Sequence, residues 1–516
     1  MSMSRYSILW ADDEIDLLKP HILFIRDKGY DVTTVNNGRD AIELVRQRHF
    51  DLIILDENMP GLSGLETLNA IKRIAPHIPV MLITKSEEED IMNQAIGNKI
   101  ADYLIKPVNP KQILLSIKKL LHSGDLVSRR TADDYRRDFA EISAMTDACA
   151  TIDDWYALYD RLVYWARELA SADTDMDGML HMQWHEADMA FSRFVKTHYG
   201  SWIGGGDGAP LMSPDIFPKY VFPLLDAGHK LFVVLIDNFR LDQWRVIKPL
   251  LADTFVFDES MYTSILPTAT QYARNALFSG LMPADIARMY PDMWVDEGAD
   301  EGKNLHEETL LEALLQRSRR DIRSSYRKIN DSASGDRLVR DLDSLCANRL
   351  NVVVLNFIDL LSHARTESKM IRELASDNSA YLSLTESWFR HSFAMELFRR
   401  IGEKGFHIVL TTDHGTVQVD NPVKIVADKD TGPGLRYKVG RNMTCNPRQV
   451  YEIKYPARFG LPSPNLSSYY IFASGHDFFA YPNNYNNYVQ YYTGTFQHGG
   501  ISLEEMLVPI VTLTAK

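Results

Sequence analysis

The chain has 516 residues, of which 45% are hydrophobic and 24% are charged, values that are ordinary for a soluble globular protein. A chain of this length predicts two to four domains, each with a core of its own. Because the formal net charge is −13, we exclude broad, sequence-independent binding to nucleic acid, which requires a basic surface.

The cysteines and the apolar runs indicate in which cellular compartment the protein is expected. Cys149, Cys346 and Cys445 stand far apart without CxxC spacing, which fits a reducing compartment and excludes a cysteine-based zinc site. The N-terminal apolar run is too short for a signal peptide, and no run approaches the roughly 18 residues of a membrane helix. We therefore expect a cytoplasmic protein without a membrane span.

Residues 1–122 alternate short apolar runs with amphipathic stretches. This alternation predicts right-handed βαβ units around a parallel sheet, with ligands beyond the carboxyl ends of the strands. The predicted strands are 7–11, 32–35, 52–55, 80–84 and 103–105, and the polar residues at their carboxyl ends are Asp12, Asp13, Asp56, Thr84 and Lys106.

The acidic residues at this sheet edge predict phosphoryl chemistry. Carboxylates that converge repel one another unless a hard cation joins them, and Mg²⁺ with oxygen ligands is the natural choice. One carboxylate then remains free to attack a phosphoryl donor, while Lys106 and the Thr84 hydroxyl neutralise the incoming oxygens.

The order Asp-Asp, Asp-x-Asn-Met-Pro-Gly, Thr and Lys-Pro resembles the receiver domain of two-component response regulators, which has a CheY-like (flavodoxin-like) α/β fold. The resemblance implies Asp56 as the phosphoacceptor and a histidine kinase as the partner. It further implies a Mg²⁺ site of Asp12, Asp13, Asp56 and the Asn58 backbone carbonyl, with Thr84, Tyr103 and Lys106 as switch residues.

Residues 123–208 predict helices. Apolar residues recur at helical spacing from Tyr135 to Leu169, which is typical of a central α-helical bundle or of helical hairpins. His181 and His185 stand four positions apart, a spacing that suits either a metal on one helical face or two structural histidines. The glycine-rich stretch 200–208 cannot sustain a helix and predicts a domain boundary.

Residues 209–516 contain a second α/β pattern. Apolar runs at 231–236, 351–358 and 407–412 predict strands buried on both faces of a parallel sheet. Each run is followed directly by an aspartate at the expected functional edge: Asp237, Asp359 and Asp413.

Histidines accompany these acids. His363 follows Asp359 by four positions, His414 follows Asp413 directly, and His498 precedes two glycines near the C-terminus. The three aspartates and three histidines form two mixed nitrogen and oxygen ligand sets, which suit Zn²⁺ and admit Mn²⁺. For any single Asp-His pair, a structural hydrogen bond is the alternative.

Residues 265–275 read Ile-Leu-Pro-Thr-Ala-Thr-Gln-Tyr-Ala-Arg-Asn, a loop that enters a helix. Thr268 or Thr270 is a candidate cap of that helix. A hydroxyl there also faces free N–H groups and the positive end of the helix dipole, which suits a phosphoryl group. Thr270 is therefore both a candidate cap and a candidate covalent nucleophile.

The order Asp, Pro-Thr-x-Thr…Gly, Asp-x-x-x-His, Asp-His-Gly and His-Gly-Gly resembles the alkaline phosphatase superfamily, particularly its nucleotide phosphodiesterase and PglZ-type branches. The resemblance implies a C-terminal α/β domain with Thr270 as the nucleophile of a metal-dependent phosphodiesterase or phosphatase. It assigns one zinc ion to Asp359, His363 and His498, and the other to Asp237, Asp413, His414 and the Thr270 oxygen.

Two departures qualify the resemblance. Relatives often carry an asparagine three residues after the nucleophile to bind the phosphoryl oxygen, whereas this chain has Ala273. Arg274 and Asn275 are the candidate replacements. The Cys/Ser-x-Pro-x-Arg motif of sulfatases is absent from the chain, which argues against sulfate ester hydrolysis.

The tyrosine-rich stretch 481–492 permits two interpretations. Its aromatic faces suit stacking on the bases of a nucleotide substrate, and they equally suit a self-packed loop or cap over the metal site.

The three domains together, 1–122, 123–208 and 209–516, resemble response regulators associated with type IX secretion in Bacteroidetes. This resemblance implies homodimerisation on phosphorylation and a sigma factor or secretion-system protein as a partner. No helix-turn-helix pattern or basic patch stands out, so direct DNA binding is the weaker expectation. Two hypotheses follow: a signalling phosphodiesterase, and a regulator whose phosphatase-like fold only docks protein partners.

Overall fold

A computed structural model describes residues 6–84, 100–172, 176–297, 299, 302–367, 377–428, 431–432, 434–465, 467–483 and 485–516, and for 122–129 and 365–367 it describes only the backbone. The chain divides into two compact units. The first comprises Met1–Asp134 and Ala172–Thr174, and the second comprises Tyr135–Ser171 and Asp175–Lys516. None of the helices in the described ranges combines the length and hydropathy needed to cross a membrane.

The first unit is a five-stranded sheet in the order β2-β1-β3-β4-β5, and all neighbouring strands are parallel. This order is that of flavodoxin-like folds, so the predicted fold and its five strands are confirmed. The elements are β1 Ser7–Ala11, α1 Lys19–Asp27, β2 Asp31–Val35, α2 Gly38–Gln47, β3 Leu52–Asp56, α3 Gly64–Ile74, β4 Val80–Thr84, β5 Asp102–Ile105 and α4 Pro110–Ala148.

Helices cover both faces of this sheet, which explains the continuous apolar strands. Every residue of β3 and β4 is buried, and separate apolar clusters form on the two faces. Helix α3 begins with a capping box in which Ser63 and Glu66 satisfy each other's free backbone N–H groups. Because all the strands are parallel, the carboxyl ends of β1, β3 and β5 lie at the same edge of the sheet.

The helical middle region is not a separate unit in the structure. Helix α4 runs without a break across the predicted boundary at residue 122. It is followed by α5 Ile152–Ala172 and α6 Asp177–Ile203. The predicted apolar positions, such as Trp155 and Leu162, share one core with residues of the C-terminal sheet such as Phe232. The two compact units divide near residue 134, and the predicted domain bounds at 122 and 208 stay a prediction.

One local prediction in this region is wrong. Helix α6 continues through Gly200 to Ile203, so the glycine-rich stretch loses helical structure only from Gly204 onward. Because α6 packs into the large core through Tyr199 and Trp202, tertiary packing outweighs the weak helix propensity of Gly200.

The second unit is built on a six-stranded sheet in the order β7-β18-β10-β6-β9-β8. The three predicted strands, β6, β9 and β10, are parallel, as is β8 beside β9. The sheet as a whole is mixed, because β18, which the sequence did not predict, runs antiparallel to both β10 and β7. The strands are β6 Leu231–Ile236, β7 Phe255–Thr263, β8 Ser324–Ile329, β9 Leu350–Leu355, β10 His407–Thr411 and β18 Leu507–Ala515.

Helices cover this sheet on both faces, and two apolar clusters lie beneath them. The helices are α7 Phe222–Asp226, α8 Leu241–Leu251, α9 Thr270–Ser279, α10 Pro283–Met289, α11 Glu307–Arg317, α12 Ser332–Arg340, α13 Leu342–Leu345, α14 Phe357–Glu367, α15 Asn378–His391, α16 Phe393–Glu403, α17 Tyr485–Tyr492 and α18 Leu503–Met506. Short 3-10 or π turns occupy Ser213–Asp215, Phe217–Val221, Pro291–Met293 and Pro456–Phe459.

Three small sheets lie between β10 and β18 in the chain. They are formed by β11 Val417–Gln418 with β17 Phe496–Gln497, by β12 Asn421–Lys424 with β16 Asp477–Ala480, and by β13 Tyr437–Gly440, β15 Tyr469–Ala473 and β14 Val450–Ile453. The tyrosine-rich helix α17 packs Tyr485, Tyr488 and Tyr492 against the buried Val419 and Phe478. These contacts favour the self-packed interpretation of that stretch.

Candidate active site

Helix α9 presents Thr270 at its first position. Its N-cap is Ala269, which makes no side-chain capping bond. The Thr268 hydroxyl instead donates to the Gly500 carbonyl at 2.9 Å and accepts from the Gly499 N–H at 3.0 Å. The expectation that a threonine caps this helix is therefore wrong, and the Thr270 hydroxyl is not used as a cap.

The Thr270 hydroxyl faces His414. Thr270 Oγ1 lies 3.2 Å from His414 Nε2, and His414 Nδ1 lies 3.0 Å from the Gly415 carbonyl oxygen. Because a carbonyl can only accept, Nδ1 carries a proton, and Nε2 is the ring nitrogen that faces the Thr270 hydroxyl. The half-buried Thr270 lies within hydrogen-bond distance of this nitrogen.

The structure brings the predicted ligands together in the predicted groups. One ligand atom each from Asp359, His363 and His498 lies within 4.8 Å of the others, and the same holds for Asp237, Asp413 and His414. Residues from distant parts of the chain thus form two mixed aspartate and histidine clusters.

The strand ends explain the position of most of these residues. Asp237 directly follows β6, and Asp413 follows the end of β10 by two residues. For Asp359 the predicted element was wrong, because the strand was expected to extend to residue 358. Strand β9 ends at Leu355, and Asp359 lies in the first turn of α14. Since His363 comes one turn later on that helix, the two side chains share a face, with Nε2 and Oδ2 3.6 Å apart.

His498 reaches the site from the loop after β17. Its Nδ1 lies 3.1 Å from the Thr268 carbonyl oxygen, so its Nε2 is free to act as a ligand. Its ring stacks on that of His414 with centroids 4.3 Å apart. Burial, followed by the charge of His414, lowers the pKa of His498 to about 4. The ring is therefore neutral, as metal ligation requires.

Arg274 lies between the buried acids. Its Nε donates to Asp413 Oδ2 at 2.9 Å, its Nη2 pairs with Asp237 Oδ1, and its Nη1 lies 3.4 Å from Glu307 Oε1. The guanidinium is only 1% exposed. All its nitrogens face carboxylates, so the structure assigns Arg274 to holding these acids rather than to the predicted contact with a phosphoryl oxygen.

Asn275 also differs from its predicted role. Its amide nitrogen donates to the Lys303 carbonyl at 3.3 Å, and the residue is 2% exposed. The amide nitrogen is thus directed at a backbone carbonyl. The structure does not direct Asn275 at a phosphoryl oxygen, the contact that Ala273 cannot make.

The acids of this centre carry opposing pKa shifts. Burial chiefly raises the pKa of Asp237 well above its usual range; Arg274 opposes the shift, whereas Asp413 and Asp359 add to it. Burial would also raise the pKa of Asp413, but the charges of Arg274 and His414 lower it to about 2. The carboxylates exceed the positive charge that Arg274 supplies.

Asn238 is a site residue that the sequence reasoning missed. It is fully buried and has a φ of 62°, a left-handed conformation that asparagine tolerates better than most residues. Its backbone N–H lies 3.4 Å from Asp413 Oδ1, and its side-chain amide lies 3.4 Å from Asp359 Oδ1. Asn238 therefore joins the two ligand groups, and the asparagine directly after Asp237 was the available signal.

The donor sets fit the implied zinc ions. Each cluster combines imidazole nitrogen with carboxylate oxygen, as zinc sites do. His414 and His498 both use Nδ1 on a backbone carbonyl, the arrangement that orients metal-ligating histidines. The unbalanced negative charge near Asp237 is of the sign that a cation would offset.

The receiver residues also converge. Lys106 Nζ lies 2.8 Å from Asp12 Oδ2 and 2.9 Å from Asp56 Oδ1. One carboxylate oxygen each from Asp12, Asp13 and Asp56 lies within 4.8 Å of the others. Burial chiefly raises the pKa of Asp56, the hydrogen bond from Lys106 lowers it, and the neighbouring acids raise it again. This oxygen-only set fits Mg²⁺.

The predicted switch residues lie beside this cluster. Thr84 ends β4 and is fully buried. Burial raises the pKa of Tyr103 and a side-chain hydrogen bond with Thr84 lowers it, so the two hydroxyl residues are in contact. Asn58 is exposed two positions after Asp56, and its carbonyl role stays a prediction.

Comparison with protein families identifies the second unit. The model of the family described as the BREX system PglZ alkaline phosphatase-like domain matches residues 216–513, more than half of the chain. The chain belongs to this PglZ family. The match contains the loop before α9 and both aspartate and histidine clusters, so the PglZ domain includes the whole candidate active site.

Two further family models match the remainder. The response regulator receiver domain matches residues 8–118, and the PorX response regulator linker domain matches residues 125–203. The chain is therefore a two-component response regulator of PorX-type architecture: a receiver, a helical linker and a PglZ domain.

Similar curated proteins match the receiver region. The transcriptional regulatory protein ZraR of Klebsiella oxytoca is 36% identical over 121 residues, which is 23% of this chain and 27% of ZraR. The alginate biosynthesis transcriptional regulatory protein AlgB of Pseudomonas syringae pv. tomato is 34% identical over 125 residues, 24% of this chain and 28% of AlgB. The chain thus spans under a third of the length of these two relatives.

Solved receiver structures are also similar. The Vibrio cholerae chemotaxis protein CheY4 is 27% identical, with 23% of this chain and 100% of CheY4 covered at a TM-score of 0.22. The signal receiver domain of a putative Luxo repressor protein from Vibrio parahaemolyticus is 29% identical, with 24% and 94% covered at a TM-score of 0.23.

Proposed function

We propose that this response regulator is a metal-dependent phosphodiesterase in which Thr270 is the nucleophile and phosphorylation of Asp56 controls activity. The observation that carries the proposal is the position of Thr270. Its free hydroxyl lies at the start of α9, 3.2 Å from His414 Nε2, and His414 belongs to one of two aspartate and histidine clusters.

The residues of the chain have distinct tasks in the reaction. The Thr270 oxygen attacks phosphorus, and one of the two alcohols of the diester leaves and takes up the proton that the threonine gives off. Thr270 is then esterified to a phosphoryl group that still carries the other alcohol. Water then cleaves that ester and restores the threonine. The first N–H groups of α9 and its dipole favour the phosphoryl anion at this position. Asn238 and Arg274 keep the aspartates in place.

Two zinc ions, with Mn²⁺ as an alternative, complete the proposed centre. Asp359, His363 and His498 would hold one. Asp237, Asp413, His414 and the Thr270 oxygen would hold the other. Such ions supply positive charge to the attacking and leaving oxygens when bound.

The substrate class we propose is a phosphodiester of the nucleotide type. We infer it from the family resemblance and from a threonine hydroxyl placed for phosphoryl transfer. The tyrosine-rich helix α17 does not support base stacking, because its rings pack against their own domain.

The receiver supplies the proposed control. A histidine kinase donates a phosphoryl group to Asp56 with Mg²⁺ at Asp12, Asp13 and Asp56, and Lys106 pairs with the acceptor. The PorX-type architecture supports a role in type IX secretion, with a homodimer on phosphorylation and a sigma factor or secretion-system protein as a partner.

The alternative is a non-catalytic regulator whose PglZ domain docks protein partners. The ligand clusters favour the enzyme, because a docking module has no physical need for six grouped metal-binding side chains beside a free hydroxyl. A docking protein would hold no metal and would turn over no substrate.

Hydrolysis of bis-p-nitrophenyl phosphate by the full chain tests the proposal. We expect turnover with bound Zn²⁺, loss of turnover on treatment with a chelator and recovery on added Zn²⁺. Thr270→Val removes the attacking oxygen and should lower kcat at least about 10³-fold, the scale seen when a catalytic nucleophile is removed.

Thr270→Ser is the matched control, because it keeps the hydroxyl and should retain measurable turnover. Full activity in Thr270→Val would contradict the nucleophile. A chain that binds no metal and hydrolyses no diester would favour the docking alternative.

A further inference from the structure

A third aspartate and histidine cluster lies apart from the candidate active site. Asp188 on α6, His476 between β15 and β16, and Glu504 on α18 each place one ligand atom within 4.8 Å of the others. These residues come from the linker helix and from two separate segments of the PglZ domain. All three lie within the second compact unit.

The cluster is deeply buried. Asp188 is fully buried, and His476 and Glu504 are each 8% exposed. Asp188 Oδ2, His476 Nε2 and Glu504 Oε2 have no hydrogen-bond partner among the described residues. Buried polar atoms without partners are costly, so three of them in one cluster indicate a site for a ligand.

His476 is oriented as a ligand. Its Nδ1 lies 2.7 Å from the Gln418 carbonyl oxygen, which fixes the Nδ1 proton and leaves the Nε2 lone pair directed into the cluster. His414 and His498 of the candidate active site have the same arrangement. Asp188 is oriented too, because its Oδ1 accepts the Leu503 N–H at 2.8 Å and its Oδ2 remains available.

The spacing suits a small divalent cation. His476 Nε2 and Asp188 Oδ2 lie 3.3 Å apart without hydrogen-bond geometry. Two ligands at about 2.0–2.1 Å from a tetrahedral ion are about 3.3–3.4 Å apart. In the candidate active site, the corresponding distances are 3.6 Å between His363 and Asp359 and 3.8 Å between His414 and Asp413. The His476 and Asp188 atoms are therefore closer together than either of these pairs.

A cavity of about 310 Å³ adjoins the cluster and is lined by both His476 and Glu504. It gives an ion a route of entry and gives water a place as the remaining ligand. His181, one of the two helical histidines singled out in the sequence, also lines it. The rings of His181 and His185 lie 5.7 and 6.1 Å from that of His476.

The competing interpretation is a buried ion pair. In that pair the protonated His476 ring would bind Asp188, with Nε2 and Oδ2 3.3 Å apart. The pair leaves Glu504 Oε2 without a partner among the described residues. A divalent ion satisfies all three side chains, whereas the ion pair satisfies two.

We propose that Asp188, His476 and Glu504 bind a divalent transition metal ion, Zn²⁺ or Mn²⁺, that fastens the linker helix α6 to the PglZ domain. The mixed nitrogen and oxygen donors set this class of metal. Glu504 follows His498 by six residues, so the ion also anchors the segment that delivers His498 to the candidate active site.

Metal content of the full chain tests this proposal. The protein is stripped with a chelator, equilibrated with Zn²⁺, and its metal content is measured by mass spectrometry. We expect His476→Gln to lose one zinc equivalent per chain relative to the natural protein. Added Zn²⁺ should raise the Tm of the natural protein by more than that of His476→Gln.

His185→Gln is the matched control, since it removes an imidazole that faces the ring of His476 but not the cluster, and it should retain every equivalent. Glu504→Gln keeps the side-chain shape and should weaken this one site at least about tenfold, as losses in a metal site commonly do; it decides the matter if His476→Gln does not fold. Equal zinc content and affinity in the natural protein and both cluster variants would overturn the proposal and leave the ion pair.

Discussion

Arg274 offsets part of the negative charge of the candidate active site. It is surrounded by Asp237, Asp413 and Glu307, and Glu307 is held in turn by Lys328 at 2.9 Å. Sequence reasoning placed Arg274 on a phosphoryl oxygen because it stands near the position of an absent asparagine. The structure gives it a structural task beside the predicted ligands.

The residue-scale prediction concerns this arginine. Arg274→Met leaves buried carboxylates without their cation and should lower the free energy of unfolding of the metal-free protein by about 3–5 kcal/mol. Added Zn²⁺ should recover part of the loss, because an ion at Asp237 and Asp413 replaces the missing charge. Urea unfolding with chelator and with Zn²⁺ measures both effects.

Arg390→Met is the control, because it breaks only an exposed pair with Glu386 on α15 and should cost under about 1 kcal/mol. A loss for Arg274→Met no larger than that of the control would show that Arg274 does not hold the acids.

At the scale of elements, α9 is positioned from both ends. Its first residue is Thr270, and Gly280 ends it in the left-handed conformation with a φ of 63°. A Cβ at Gly280 would lie 2.9 Å from Leu314 Cδ1 on α11. The glycine thus permits both the sharp stop of α9 and its close contact with α11.

Gly280→Ala should therefore destabilise the protein by about 1–2 kcal/mol from the left-handed backbone alone, with the contact to Leu314 adding to the loss. Gly178→Ala in α6 is the control: a Cβ there meets nothing within 4 Å, so the helix should be stabilised by about 0.5–1 kcal/mol. Thermal unfolding of both variants gives the comparison, and an unchanged Gly280→Ala would contradict this account.

Helices α4 and α5 are joined by an ion pair between the exposed Arg161 and the buried Asp138. Arg161 donates through Nε to Asp138 Oδ2 at 2.6 Å, and Trp165 also donates to Asp138. The hydrogen bond from Arg161 is the largest cause that lowers the pKa of Asp138 below its usual value. A depressed carboxyl pKa stabilises the fold above the pKa of the unfolded chain and is lost as the pH falls through the folded value.

Asp138→Asn should destabilise the protein at neutral pH, and the difference from the natural protein should shrink as the pH falls below about 4, the unfolded value of aspartate. Asp147→Asn, at an exposed position of the same helix, is the control. It should change neither the free energy of unfolding at neutral pH nor its dependence on pH. Urea unfolding as a function of pH measures the effect, and a difference independent of pH would argue against the ion pair.

At the scale of the whole molecule, the chain combines a predicted phosphoryl acceptor and a candidate phosphoryl-transfer centre in two compact units. Helix α4 contains residues of both units. The linker helices α5 and α6 share their core with the PglZ sheet. The linker helices therefore belong structurally to the PglZ unit.

Asp56→Asn tests whether phosphorylation of Asp56 controls the proposed dimer. The variant should lose labelling by acetyl phosphate, because the attacking carboxylate is gone, and it should no longer form the proposed phosphorylation-dependent dimer. Light scattering with size-exclusion chromatography measures the dimer. Asp27→Asn, at an exposed position of α1, is the control; labelling that persists in Asp56→Asn would refute Asp56 as the acceptor.

The sequence by itself determined which residues are candidate ligands. Side-chain types at fixed offsets, such as Asp359 with His363, predict ligand sets because metal binding depends on donor atoms and local spacing. Five apolar runs likewise predicted the receiver sheet, because strands buried on both faces are apolar throughout.

Only the tertiary structure decided which distant groups meet. The guanidinium of Arg274 lies among three acids, and Asn238 contacts an aspartate of each active-site cluster. Asp188 of the linker helix lies beside His476 and Glu504 of the PglZ domain. The physical reason is that long-range contacts follow from packing of whole elements, which no local pattern in the chain encodes. The structure likewise shows that the Thr270 hydroxyl contacts His414 Nε2 and does not cap α9.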